Sequence, residues 1–141
     1  YRIGCEAADT FAAIAPVAGV LSLPPEKCQP TKAVPSIAFH GTWDLVSSYK
    51  KAGGFSTMGA IQMFSLWAKK NQCKGKPIVT FQENNVSCES YQSCAEGAEI
   101  KFCTIGRGGH CWPGRPCRLG ASSTINGSEM IAEFLLQFER N

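Results

Sequence analysis

Gly106-Arg107-Gly108-Gly109-His110-Cys111-Trp112-Pro113-Gly114 decides how this chain reads, because it sets one of only two histidines on a glycine-built loop directly after a strand-like run, Lys101 to Ile105. Glycine tolerates the close backbone approach such a loop needs, and an imidazole held just beyond a strand is well placed to move protons. A second stretch, His40-Gly41-Thr42-Trp43-Asp44, follows another apolar run, Pro35 to Phe39. Asp44 lies five residues past Phe39 and His110 five past Ile105, which predicts both at one edge of a sheet. A histidine that takes a hydroxyl proton, and a carboxylate that fixes its tautomer and stabilises its cation, are the base and acid of nucleophilic ester cleavage. Asp44 is the candidate acid and His110 the candidate base. His40 adjoins its strand and faces a glycine, which predicts a structural hydrogen bond rather than proton transfer. Trp43 and Trp112 each neighbour a candidate residue, and their flat faces suit an acyl or sugar-binding cleft, or packing. Cys111 is no nucleophile for His110, since neighbours on one backbone rarely aim at each other.

Working outward, Phe11 to Val17 is almost wholly apolar and ends in Ala18-Gly19, which predicts a short strand buried on both faces. Pro35 to Phe39 is a second such run, and Ala98 to Ile105, entered through Glu96-Gly97, a third. Three buried parallel strands with helices between them make an α/β fold. Met58, Ile61, Phe64, Leu66 and Trp67 recur near helical spacing, with Ser56 or Thr57 as N-cap and Lys69 and Lys70 in the last turn. That helix is predicted to pack on the sheet, with Trp67 in the core. Met130, Ile131, Phe134, Leu135 and Phe138 form the stripe of a closing helix, and Asn126 stands three before Glu129 as a capping pair. Tyr1 to Ala8 reads as the back half of a helix. Prolines 24, 25 and 30 mark one loop, and residues 113–127 another.

A length of 141 residues, 44% hydrophobic and 18% charged, bounds the chain to one domain or part of one. The net charge of +3 comes from scattered residues, which describes a solvated surface and not a nucleic-acid footprint. Eight cysteines in so short a chain point to an oxidising compartment, hence secretion. With no Cys-x-x-Cys pair and two separated histidines, no metal or other cofactor is expected. Eight cysteines allow 105 pairings, but local geometry narrows them. Cys111 and Cys117 flank the turn-forming Pro113-Gly114, and Cys5 and Cys28 bracket the first strand. If Val86 to Tyr91 pairs antiparallel with Ile100 to Ile105, Cys88 faces Cys103, leaving Cys73 for Cys94. Asn85-Val86-Ser87 and Asn126-Gly127-Ser128 are glycosylation sequons. No run of eighteen apolar residues crosses a membrane.

Four strings in order, Tyr1-Arg2-Ile3-Gly4-Cys5-Glu6, Phe11 to Gly19, Ala38 to Asp44, and Gly108 to Gly114, resemble the secreted polyhydroxybutyrate depolymerase and feruloyl or acetylxylan esterase family of α/β-hydrolases. The resemblance implies that residues 1–141 are the C-terminal part of one α/β-hydrolase domain, parallel strands with packed helices, stapled by disulfides. It implies a triad with Asp44 as acid and His110 as base, acting on hydroxyalkanoate esters or on acyl groups of plant polysaccharides, and a serine elbow a few residues before the segment corresponding to Tyr1. Gly-x-Ser-x-Gly does not occur in the 141 residues; the nearest approach is Gly54-Phe55-Ser56-Thr57-Met58. Two functions follow as expectations. One is part of a secreted serine esterase; the other is a non-catalytic secreted binding protein, lectin-like or defensive, derived from a hydrolase fold. In either case a missing N-terminal half or another chain is expected to cover an exposed sheet edge.

Overall fold

The elements follow the apolar runs along the chain. In the computed structural model, which describes residues 1–51, 58–121 and 123–139, helix α1 (Arg2–Glu6) comes first, then strand β1 (Ser36–Gly41) and helix α2 (Ala60–Lys70). Strands β2 (Ile78–Glu83), β3 (Val86–Tyr91) and β4 (Ile100–Ile105) precede helix α3 (Gly127–Leu135). The strands form one sheet in the order β1-β4-β3-β2. β1 and β4 run parallel with Gly41 opposite Ile105, while β3 is antiparallel to both β4 and β2. The fold is therefore α/β, with a mixed sheet rather than a wholly parallel one.

Alternation along the central strands sends side chains to two cores. Ala38, Ile100 and Phe102 join Met63, Phe64 and Trp67 of α2. Ile37, Phe39, Cys103 and Ile105 join Phe134 of α3 on the opposite face. With both faces covered, every residue of β1 is buried. Phe64 stacks on Phe102 with ring centroids 5.3 Å apart. The buried Trp67 donates its indole N–H to the Val34 carbonyl at 3.0 Å, and the buried Asn71 side chain accepts from the Val34 amide while donating to the Trp67 carbonyl. These bonds fix the approach to β1 against the end of α2, with the polar groups satisfied as burial demands.

Three expectations are corrected. The run from Phe11 to Val17 is extended but forms only isolated parallel bridges, Ile14 with Ser36 and Val17 with Phe39. Bonds run from Ile14 N to Pro35 O, Ile37 N to Ile14 O, Phe39 N to Pro16 O and Ala18 N to Phe39 O. The rung that would join them is an amide at position 16, and Pro16 has none. Second, α2 begins at Ala60 with Gly59 as N-cap and Gln62 bonded back to the Gly59 amide; Ser56 and Thr57 lie outside the described residues. Its buried face is Ala60, Met63, Phe64, Trp67 and Ala68, so Ile61 is exposed. Third, β2 was not anticipated. Its signal is a β-branched start, Ile78-Val79-Thr80, then Asn84-Asn85 before β3, with Asn84 at φ 49° supplying the turn.

The closing helix begins as expected: the Asn126 side chain accepts from the Glu129 amide. The disulfides are Cys5–Cys28, Cys73–Cys94, Cys88–Cys103 and Cys111–Cys117. Cys88 and Cys103 face each other in register across β3 and β4, closing a loop of sequence separation 15. Replacing both by alanine should lower the unfolding free energy by about 3 kcal/mol, the chain-entropy value for such a loop. Urea denaturation of the protein and the double variant measures it, and an unchanged midpoint would refute it.

Candidate active site

Parallel pairing of β1 and β4 opens both C-terminal ends at the same edge. Beyond Gly41 the chain turns at once: Thr42 N donates to Ile105 O, Trp43 N to Gly108 O, and Asp44 N to Gly41 O. From the other side, Arg107 N donates to the Thr42 hydroxyl at 2.7 Å. Gly41 lies so close to Gly108 that a Cβ there would collide with the Gly108 carbonyl. The absence of a side chain on Gly41 lets the two loops touch backbone to backbone.

Across this junction, His110 Nδ1 stands 2.9 Å from Asp44 Oδ2. A carboxylate only accepts, so Nδ1 carries the hydrogen and, in the neutral ring, Nε2 is the free base. The Asp44 side chain is fully buried, whereas that of His110 is 45% exposed. Asp44 Oδ1 accepts from the amides of Val46 and Ser47, each at 2.8 Å. His40, in β1, donates from Nε2 to the Ser47 carbonyl at 2.8 Å, and the same nitrogen lies 3.4 Å from Asp44 Oδ2. The structure thus gathers Asp44, His110 and His40, which are 66 and 4 residues from Asp44 along the chain.

His110 lines a pocket of about 120 Å³ with Trp43, Leu45, Val46, Cys111, Arg118 and Leu119. Trp43, Leu45 and Leu119 are exposed, so its rim is apolar, with Arg118 as the one guanidinium among the described lining residues. Trp112 is not in this pocket. It lies within the Cys111–Cys117 loop, its indole N–H donating to the Ser128 hydroxyl, beside a polar hollow lined by Arg115, Ser123, Asn126 and Ser128. Sequence reasoning missed Leu45, Val46, Arg118 and Leu119. Leu45 and Val46 follow Asp44 directly, and an apolar pair there was the available signal. The sequon asparagines lie apart: Asn85, in the β2–β3 turn, donates its Nδ2 to the Gly106 carbonyl after β4, and Asn126 caps α3. Among the described residues no group of three or more His, Cys, Asp or Glu gathers as metal ligands would.

Burial pushes the His40 imidazole below its ordinary value of 6.5, outweighing the Ser47 carbonyl and the Asp44 carboxylate, which raise it, while His110 lowers it. Between the folded value and the unfolded one, the unfolded chain binds the extra proton, so stability rises with pH across that window. The contribution is complete above the unfolded value and declines as pH falls through it. Melting temperature should therefore drop between about pH 7 and pH 5, and His40→Gln should flatten part of that slope, since a glutamine carries no titrating proton. Thermal melts of both proteins test this, and identical slopes would refute it.

With the geometry in place, the chain can be set beside known proteins. It is 40% identical over 119 residues to feruloyl esterase B of Piromyces equi, covering 76% of this chain and 22% of that protein. It is 24% identical over 160 residues to a Nocardia uniformis subsp. tsuyamanensis protein named "Putative esterase NocK", covering 96% of this chain and 46% of that protein. The chain thus spans about a fifth and just under half of the lengths of these relatives. No family model matches it. Over most of its length, the chain is similar to proteins named as esterases.

Proposed function

We propose that this chain is the acid- and base-bearing part of a secreted serine esterase. The observation that carries the reading is the 2.9 Å contact from His110 Nδ1 to a wholly buried Asp44, with His110 lining an apolar-rimmed pocket. The nucleophilic serine and the oxyanion donors come from the part of the protein outside these residues. In the reaction His110 Nε2 takes the serine proton as the hydroxyl attacks the ester carbonyl. Asp44 stabilises the imidazolium so formed, and His110 returns the proton to the departing alkoxide. Water then repeats the sequence on the acyl-enzyme, with Nε2 again the base.

The acyl group packs between Trp43, Leu45, Val46 and Leu119, while the polar hollow beside Trp112 receives the alcohol side. That division of polarity favours acyl esters of polysaccharides over polyhydroxyalkanoates, and agrees with the name of the Piromyces relative. The edge of residues 13–17 that faces away from β1 takes a further strand from the serine-bearing part, because Ile14, Pro16 and Ala18 spend their backbone groups on β1. Four disulfides favour secretion, and glycans at Asn85 and Asn126 are part of the same reading. Among the described residues no helix is long and apolar enough to cross a membrane. A binding protein without catalysis is the reading that the missing Gly-x-Ser-x-Gly favours.

The test uses the whole protein that carries this chain. A fluorophosphonate probe should label it, and methyl ferulate should be hydrolysed. Asp44→Asn should lower kcat by roughly 10⁴-fold, and His110→Ala by roughly 10⁶-fold. Absence of both labelling and hydrolysis would overturn the esterase in favour of the binding protein, and hydrolysis that survives both substitutions would overturn the roles given to His110 and Asp44.

A further inference from the structure

Asp44 is held by more than its partner histidine. Its Oδ2 lies between two imidazoles, His110 Nδ1 at 2.9 Å and His40 Nε2 at 3.4 Å, and its Oδ1 is occupied by the Val46 and Ser47 amides. Ser47 closes a ring of contacts, giving its amide to Asp44 and accepting the His40 N–H on its carbonyl. His40 belongs to β1, in register with Thr104 of β4. The Tyr49 ring flanks it, centroids 6.2 Å apart, with the Tyr49 hydroxyl bonded to the Thr104 side chain at 2.7 Å. The Ser47 end of the turn that carries Asp44 is therefore tied to β1 through a buried imidazole.

Resting on the esterase reading, we propose that His40 is a positioning residue, whose Nε2–H fixes the 44–47 turn so that Asp44 Oδ2 meets His110 Nδ1. The residue type is suited to the task. Among the described residues the ionisable side chains facing His40 are Asp44, His110 and the Tyr49 phenol, of which the first two are a buried anion and the base it serves. A lysine or arginine in its place would neutralise the carboxylate and compete with His110 for it. A neutral imidazole supplies a donor and leaves the Asp44 charge for the imidazolium that forms at His110. Burial keeps His40 in that neutral form by lowering its proton affinity.

Two variants of the whole protein separate this from simple packing. His40→Phe keeps a ring without the N–H, and His40→Gln keeps an N–H without the ring. The readouts are kcat and KM for methyl ferulate and the low-field proton resonance of His110 Nδ1–H, which reports the bond to Asp44 without turnover. His40→Phe should lose that resonance to solvent exchange and lose roughly 10- to 100-fold in kcat with KM nearly unchanged, the effect of a misplaced catalytic group. His40→Gln should retain the resonance and recover most of kcat. A His40→Phe protein equal to or better than His40→Gln would overturn the proposal, and so would a folded His40→Gln protein without the resonance. If His40→Phe does not fold, the glutamine variant decides alone by the same criterion. Failure of the esterase reading looks different: the resonance is present in the unsubstituted protein, but neither hydrolysis nor probe labelling is.

Discussion

The contact between Gly41 and Gly108 is the constraint from which the site follows. Parallel pairing of β1 with β4 places two strand ends side by side, but strand ends in register do not by themselves bring side chains to hydrogen-bonding distance. The two loops must touch, and side chains at the junction would hold them apart. A Cβ on Gly41 would occupy the space of the Gly108 carbonyl, and that carbonyl is the acceptor for the Trp43 amide. Asp44 follows Gly41 by three residues and His110 follows Gly108 by two, so the chemistry begins directly beyond the contact. Asp44 and His110 meet across a sequence separation of 66 because Gly41, without a side chain, permits it.

The two members of the pair stand in opposite surroundings. A carboxylate with no exposed surface is costly unless donors replace water, and here the donors are two backbone amides of its own turn and the His110 ring. Fixed amides need no reorganisation when charge appears on the neighbouring ring, and the weak dielectric around Asp44 strengthens its attraction to a cation. His110, nearly half exposed, keeps its second nitrogen available to an incoming group. Burial of the acid and exposure of the base are thus parts of one arrangement. The sheet provides it by ending β1 in a turn that folds back under the loop from β4.

Much of this was legible in the chain, and the misses have physical causes. Asp44, His110 and the strands before them were readable because buried strands make short apolar runs and glycine clusters mark close approach. The cysteine register across β3 and β4 was readable because antiparallel partners face each other. The first apolar run misled, since hydropathy does not count amides and Pro16 removes the one that would have completed its ladder with β1. β2 escaped because an edge strand with exposed Ile78 and Val79 shows no buried alternation. The pocket walls escaped because Arg118 and Leu119 reach His110 only through the return of a loop. His40 was read as structural, which its bond to Ser47 is, but its nearness to Asp44 Oδ2 needed coordinates.

That returning loop explains how a histidine outside any helix or strand keeps its place. An unrestrained loop would spend conformational freedom each time His110 met Asp44, at a cost of about 1–2 kcal/mol for each backbone residue fixed. The fold removes that freedom in advance at several points. Gly108 is bonded to Trp43, and Cys111 is joined to Cys117 within six residues. The chain then comes back so that the Leu119 carbonyl lies where a side chain on Gly109 would be, and Ala121 N donates to the Arg107 carbonyl at 2.7 Å. His110 is therefore pinned on both sides within a few residues. The same return delivers Leu119 and Arg118 to the pocket. Holding the base and building the wall it faces are consequences of one covalently closed turn, so neither can be altered without the other.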